Sequence, residues 1–196
     1  FGMTGNIAYA GVDDLVITLG AGIDTIAVGS TAAATTTTLR GGGGADTFRV
    51  GDSARGLNDV AGFLQIDGQG GDDAVYLSDV VTGDGATLAN AGRLEANRLT
   101  GLGMGSVDQT AIDPDRGIGF DNVASVDLVL GDGVDTLTVV GTSTSTRIDA
   151  RGGRDQIVLG DIAPGGGLAA IGAPLVVLAG ADGGDLAISS GARADL

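Results

Sequence analysis

Six times this chain sets a carboxylate two residues after a glycine and two residues before a further side chain, which is apolar in each case. The triplets are Gly22–Asp24–Ile26, Gly44–Asp46–Phe48, Gly71–Asp73–Val75, Gly133–Asp135–Leu137, Gly153–Asp155–Ile157 and Gly183–Asp185–Ala187. In five of them another apolar residue follows two positions on: Val28, Val50, Leu77, Val139 and Leu159. This is a glycine turn that presents one carboxylate and then enters a strand whose side chains alternate in and out. Two chemistries are open to it. Backbone carbonyls and carboxylates gathered in one turn suit a hard divalent cation such as calcium, which takes six to eight oxygens at roughly 2.3–2.6 Å. The same residues also make a good turn with no ion, because an Asp carboxylate caps nearby backbone N–H groups.

As calcium ligands, Asp46 and Asp73 rank first, since their turns carry the most glycine and Asp72 adds a second carboxylate beside Asp73. Asp135 with Asp132 comes next, and Asp24, Asp155 and Asp185 complete the set. Several turns are degraded. Gln69, Arg151 and Ala181 stand where a glycine is expected, and Arg151 and Arg154 flank Asp155 closely enough to compete with an ion.

The elements that must position these turns are repeated. Residues 7–50 return at 118–159 with a spacing of 111: Tyr9 falls on Phe120, Val12 on Val123, Gly22 on Gly133, Asp24 on Asp135 and Thr31 on Thr142. A third stretch, 64–76, returns at 176–188. Repeats of this kind stack, each unit burying its apolar face against its neighbours. The Asp-to-Asp steps of 22 and 27 in the first copy, and 20 and 30 in the second, fit one coil of a stack each. Alternating or β-branched runs at 35–40, 63–67, 126–130, 146–150 and 173–179 read as the strands entering the turns. Residues 89–99 are the one short candidate for a helix, with strand an equal reading. The charged stretch 106–117, with Pro114, has no counterpart in the first copy and reads as an inserted surface loop. The Thr35–Thr38 and Thr142–Thr146 runs recur only once per copy, so they read as exposed β-branched strand and not as a flat ice-binding ladder.

Composition narrows the function. The net charge is −15, with 38 Gly and no Cys, His, Trp or Lys, and 24 of the 25 acidic residues are Asp. Nucleic acid and anionic membrane surfaces call for basic patches, which such a chain lacks. Without Cys there is no disulfide, and without His the commonest general base is missing. No run of about 18 apolar residues is present to span a bilayer as a helix. The carboxylates fall in step with the turns, whereas a catalytic constellation should break the period. The aperiodic candidates, Asp108, Asp113, Asp115, Arg116 and Asp121, form no evident acid–base pair. The expectation is therefore a protein that is not an enzyme.

The run Gly41-Gly42-Gly43-Gly44-Ala45-Asp46-Thr47-Phe48-Arg49 fits the nonapeptide G-G-x-G-x-D-x-U-x at every specified position. Through it the chain resembles the RTX calcium-binding repeat proteins. More broadly it is similar to the giant Gly- and Asp-rich repeat proteins of bacterial surfaces, through Leu99–Met104, Gly117–Phe120 and Leu130–Val139. That resemblance implies secretion, a β-helical fold and a structural or adhesive role, with calcium as cofactor. The departure is that RTX blocks repeat the nonapeptide in tandem, while here the motifs stand more than 20 residues apart.

The sequence thus predicts an all-β chain: a right-handed parallel β-solenoid of about seven coils with the Gly-x-Asp turns on one edge. Residues 1–111 would be a first repeat unit, truncated at its N-terminal side, and 112–196 an incomplete second unit of one continuous solenoid. The expected function is a structural repeat module of an extracellular fibre, sheath or adhesin, associating head-to-tail with copies of itself or adjacent repeats. A surface module binding glycan or protein through inserted loops is the alternative, and a polysaccharide-degrading β-helix enzyme a more distant one.

Overall fold

The computed structural model describes residues 6–81, 89–105, 112–113, 115–160, 167–180 and 185–188. It is all-β, without a helix among those residues. The first copy holds β1 (Asp14–Thr18), β2 (Thr25–Val28), β3 (Thr36–Arg40), β4 (Thr47–Val50), β5 (Leu64–Asp67) and β6 (Ala74–Ser78). A middle segment holds β7 (Ala91–Glu95), β8 (Arg98–Gly101) and β9 (Ile118–Asp121). The second copy holds β10 (Ser125–Val129), β11 (Thr136–Val139), β12 (Ser145–Asp149), β13 (Gln156–Leu159), β14 (Leu175–Leu178) and β15 (Asp185–Ile188).

These strands form two separate sheets. The larger runs β1-β3-β5-β9-β8-β7-β11-β13-β15 and the smaller β14-β12-β10-β6-β4-β2. Within each copy, consecutive strands alternate between the sheets and pair in parallel with the strand two places on. Asp14 lies opposite Thr36, and Thr25 opposite Thr47, each 22 residues on. Side chains alternate along each strand, so one set from each sheet faces inward. Leu39 and Ile66 from the larger sheet join Phe48, Val75, Leu77 and Leu128 from the smaller in a single apolar core. At roughly 25 cal/mol per Å² of buried apolar surface, this continuous core is the main stabilising term.

The middle segment breaks the parallel pattern. Residues 91–101 form an antiparallel hairpin, β7 with β8, and β8 pairs antiparallel with β9. The stretch in question as helix or strand is therefore strand. The insertion puts three strands between β5 and β11 in the larger sheet, whereas β6 and β10 are direct parallel neighbours in the smaller.

Nine strands, β1 through β9, come before β10, the counterpart of β1. The odd number has a topological result. β1, β3 and β5 lie in the larger sheet, while their counterparts β10, β12 and β14 lie in the smaller; β2, β4 and β6 exchange the other way with β11, β13 and β15. The second copy repeats the first with its two sheets swapped. The hydrogen bonding of the repeat survives the swap. Thr31 Oγ1 donates to the Gly62 carbonyl at 3.1 Å and accepts its N–H at 3.0 Å. Its counterpart Thr142 Oγ1 does the same with Ala173, at 3.1 and 3.3 Å. The threonine runs are only half exposed, since Thr35, Thr37, Thr142 and Thr146 are buried.

Candidate functional site: two columns of aspartate turns

Each Gly-x-Asp turn leads from one strand into the next, so the sheet swap decides where the turns go. Asp24, Asp46 and Asp73 immediately precede β2, β4 and β6 and enter the smaller sheet. Asp135 and Asp155 precede β11 and β13 and enter the larger. The turns expected along one edge therefore form two columns, one per copy.

Within a column the carboxylates link neighbouring rungs. The Asp24 N–H donates to Asp46 Oδ1 at 2.8 Å, and the Asp46 N–H to Asp73 Oδ1 at 2.7 Å. In the second column the Asn90 N–H donates to Asp135 Oδ1, and the Asp135 N–H to Asp155 Oδ1, both at 2.9 Å. Each such bond satisfies a backbone donor at a strand entry where the parallel ladder has yet to begin. Charge-assisted bonds of this type are stronger than neutral ones.

The glycines explain the rest of the motif. Gly44, Gly71 and Gly153 have φ of 117°, 132° and 104°. A Cβ on any of them would overlap the carbonyl oxygen of the glycine one rung back: Gly22, Gly44 and Gly133 respectively. Close stacking at this point thus admits no side chain. Two positions on from Asp67 and Asp149 the demand is weaker. Gln69 and Arg151, which replace a glycine there, adopt φ of 67° and 57° at the place where Gly42 has 94°.

The donor set for a cation is small. The Gly20, Gly42 and Gly70 carbonyls accept backbone N–H groups of Gly43, Gly70 and Gly44 from adjacent rungs. Oδ1 of Asp46, Asp73 and Asp135 accepts the N–H bonds above. Among side-chain oxygens, Oδ2 of Asp46, Asp73 and Asp135 are buried without a hydrogen-bond partner. Asp46 and Asp73 are 1% and 0% exposed. The carboxylates supply one such oxygen per rung, so the rest of a calcium shell of six to eight oxygens would have to come from backbone carbonyls, and among the described residues no three acidic side chains converge as a metal-binding group.

Burial without full satisfaction shows in the acidities. The Asp135 carboxyl is pushed from 3.8 up to about 6, mainly by burial, helped by the nearby Asp155 and opposed by the Asn90 N–H bond. Asp73 is also raised, again chiefly by burial, with the Asp46 N–H pulling against it.

The remaining predicted ligands stand apart from the columns. Asp72 is exposed. Asp132 turns to solvent and pairs with Arg151 Nε at 2.9 Å, so the partner of Arg151 is Asp132 and not Asp155. Asp185 lies opposite Gln156, the residue after Asp155, and is one position out of register with its column. In its place the sequence hid Asn90, which occupies the aspartate position opposite Asp135 with no glycine motif to mark it. Asn90 Nδ2 also donates to Asp79 Oδ2 at 2.6 Å, and Asp79 Oδ1 accepts the Leu57 N–H at 3.1 Å. This buried pair ties the loop before β5 to the entry of β7.

The aperiodic acidic residues do not converge either. Asp113 caps the Asp115 N–H and pairs with Arg116 Nε at 3.1 Å. Asp121 accepts from Asn97 Nδ2 and Gln65 Nε2. These are turn and surface bonds, without a nucleophile or a paired acid and base. Asp108 and most of the 106–117 loop lie outside the described residues, as does Ala181. No family model, curated protein or solved structure matches the chain.

Proposed function

We propose that this chain is a structural repeat module, a β-solenoid segment of a secreted or surface-borne fibre, sheath or adhesin. The observation that carries the reading is that the periodic chemistry is absorbed by stacking. The Gly-x-Asp carboxylates accept the N–H groups of the preceding rung, and the glycines let carbonyls of adjacent rungs pass. The net charge of −15 keeps such a module soluble and away from anionic surfaces. On this reading the two sheets are the two faces of one wound coil, and association is head-to-tail.

Calcium stiffening is a second reading, favoured by the partnerless Oδ2 atoms of Asp46 and Asp73 on neighbouring rungs. It requires backbone carbonyls of the turns to complete the coordination shell. Thermal unfolding by circular dichroism, in calcium and then in excess chelator, separates the two. Stacking alone predicts melting temperatures that agree within a few degrees. A fall of about 10 °C on chelation, equivalent to roughly 3 kcal/mol for a chain of this size, assigns calcium to the turns. Saturable glycan turnover lost in Asp113→Asn or Asp115→Asn would replace both readings with an enzymatic one.

A further inference from the structure

The geometry points to a specific joint between two copies of this chain, with β15 of one pairing in parallel with β1 of the next. The inference rests on the stacked-module reading above and assigns the surface through which it would continue. β1 and β15 end the larger sheet on opposite sides, and among the described residues each has one strand neighbour, β3 and β13. By strand order and pairing register, which align Thr25, Thr47 and Ala74 in the first copy and Thr136, Gln156 and Asp185 in the second, β15 is the counterpart of β6 and β1 the counterpart of β10. β6 and β10 already pair inside the molecule, parallel and in register: Ala74 with Ser125, Val75 with Val126, Tyr76 with Asp127 and Leu77 with Leu128. Carried over by that register, the joint sets Asp185 against Asp14, Leu186 against Leu15, Ala187 against Val16 and Ile188 against Ile17. The chain therefore contains a worked example of the contact its two ends can make. Both free strands also lie in the same sheet, so a second copy can continue it without a change of face.

The near side of the joint is visibly unfinished. Leu15 and Ile17 are only half-buried, while Val126 and Leu128, at the same repeat positions but covered by β6, are buried completely. A parallel neighbour on β1 would cover them and satisfy its edge N–H and C=O groups. The joint is also one-sided. Opposite β6 and β10, the larger sheet fills the space between β5 and β11 with β9, β8 and β7. At the joint the corresponding strands are β14 and β2, and a second copy brings nothing to lie between them.

Because the chain has no cysteine, disulfide trapping tests the register directly. Directly opposed residues of parallel strands lie about 4.8 Å apart, within disulfide reach. Full-length Val16→Cys and Ala187→Cys chains, mixed under mild oxidant, are expected to form the mixed dimer about tenfold faster than Val16→Cys chains pair with each other, since docking raises the effective thiol concentration. Thr18→Cys with Ala187→Cys, two residues out of register, and Ala27→Cys with Val176→Cys, across the open side, should trap no faster than collision. Equal rates for all pairs overturn the joint, and preferential trapping of Ala27→Cys with Val176→Cys places the contact in the smaller sheet and overturns it too. Asp14→Asn, which removes one of two aspartates placed in register, should raise association several-fold and reduce its response to added salt. Far-ultraviolet circular dichroism on the same samples distinguishes the failures: β-structured chains that stay monomeric refute the joint alone, whereas loss of β structure refutes the stacked-module reading beneath it.

Discussion

The rung formed by β1 and β2 and the rung formed by β10 and β11 are written with matching residues 111 positions apart, yet they behave differently. Ile26 and Val28 are half-buried, whereas their counterparts Leu137 and Val139 are fully buried. A Cβ on Gly22 would meet nothing within 4 Å, whereas one on Gly44, Gly71 or Gly153 would strike a neighbouring carbonyl. The residue types are alike and the neighbours are not. What a repeat position contributes depends on whether another strand lies alongside it.

The largest test of that contrast uses the glycine column. Gly153→Ala or Gly71→Ala should cost more than about 4 kcal/mol, through a backbone collision at positive φ. Gly22→Ala, the same motif position on the end rung, should stay within about 0.5 kcal/mol of the parent in urea unfolding. A large loss from Gly22→Ala would mean that another rung covers the turn into β2 in solution, and trapping of Ala27→Cys with Val176→Cys would then identify it.

The carboxylate columns give the next contrast. Asp73→Ala leaves the buried Asp46 N–H without its acceptor and should cost about 1–3 kcal/mol. Asp24→Ala removes only a 3.3 Å bond from the exposed Gly20 N–H and should cost a few tenths. Similar losses for the two would show that the carboxylates stabilise their own turns and not the rung-to-rung contact.

Acidity sharpens the comparison of the two columns. Asp135 has its folded-state value raised to about 6, so folding takes up a proton between the two values. The stabilisation is complete below about pH 4 and is lost as pH rises through 6. Its full size is roughly 3 kcal/mol. Thermal midpoints should therefore rise on acidification from pH 7 to pH 5. Asp135→Asn keeps an oxygen for the Asn90 N–H and should flatten that part of the profile. A flat profile in the parent would show that the Asp135 carboxyl is hydrated or paired in solution. The smallest effect belongs to the half-exposed Asp132–Arg151 pair, where Asp132→Asn should change stability by less than about 1 kcal/mol, as surface ion pairs do.

Much of this was legible in the sequence because it is local. The Gly-x-Asp-x-apolar rhythm placed β2, β4, β6, β11 and β13, and the alternation behind it named Phe48, Val75, Leu137 and Ile157 as core. What escaped depends on how rungs meet. The exchange of sheets between copies follows from β7, β8 and β9 all joining the larger sheet between β6 and β10 of the smaller, and the antiparallel pairing of β7 with β8 leaves no Gly-x-Asp signature around residues 91–101. Asn90 enters the second column because it lies opposite Asp135, which spacing along the chain does not reveal. Asp185 has the motif spacing but sits one residue out of register, so a correct pattern points at a residue outside the column. Arg151 was legible as a neighbour of Asp155 in sequence, but the turn sends its guanidinium to Asp132 on the rung before.

The odd strand count has one more consequence, for the outside of the molecule. Val16 faces outward from the larger sheet, and its repeat counterpart Asp127 occupies the matching place on the smaller. Whatever a repeat position displays on one side in the first copy, it displays on the opposite side in the second. A substitution inherited by both copies would decorate the two flanks in turn, and two copies, not one, make the true unit of surface pattern. A binding feature encoded in the repeat would point both ways, the arrangement suited to bridging two objects instead of coating one.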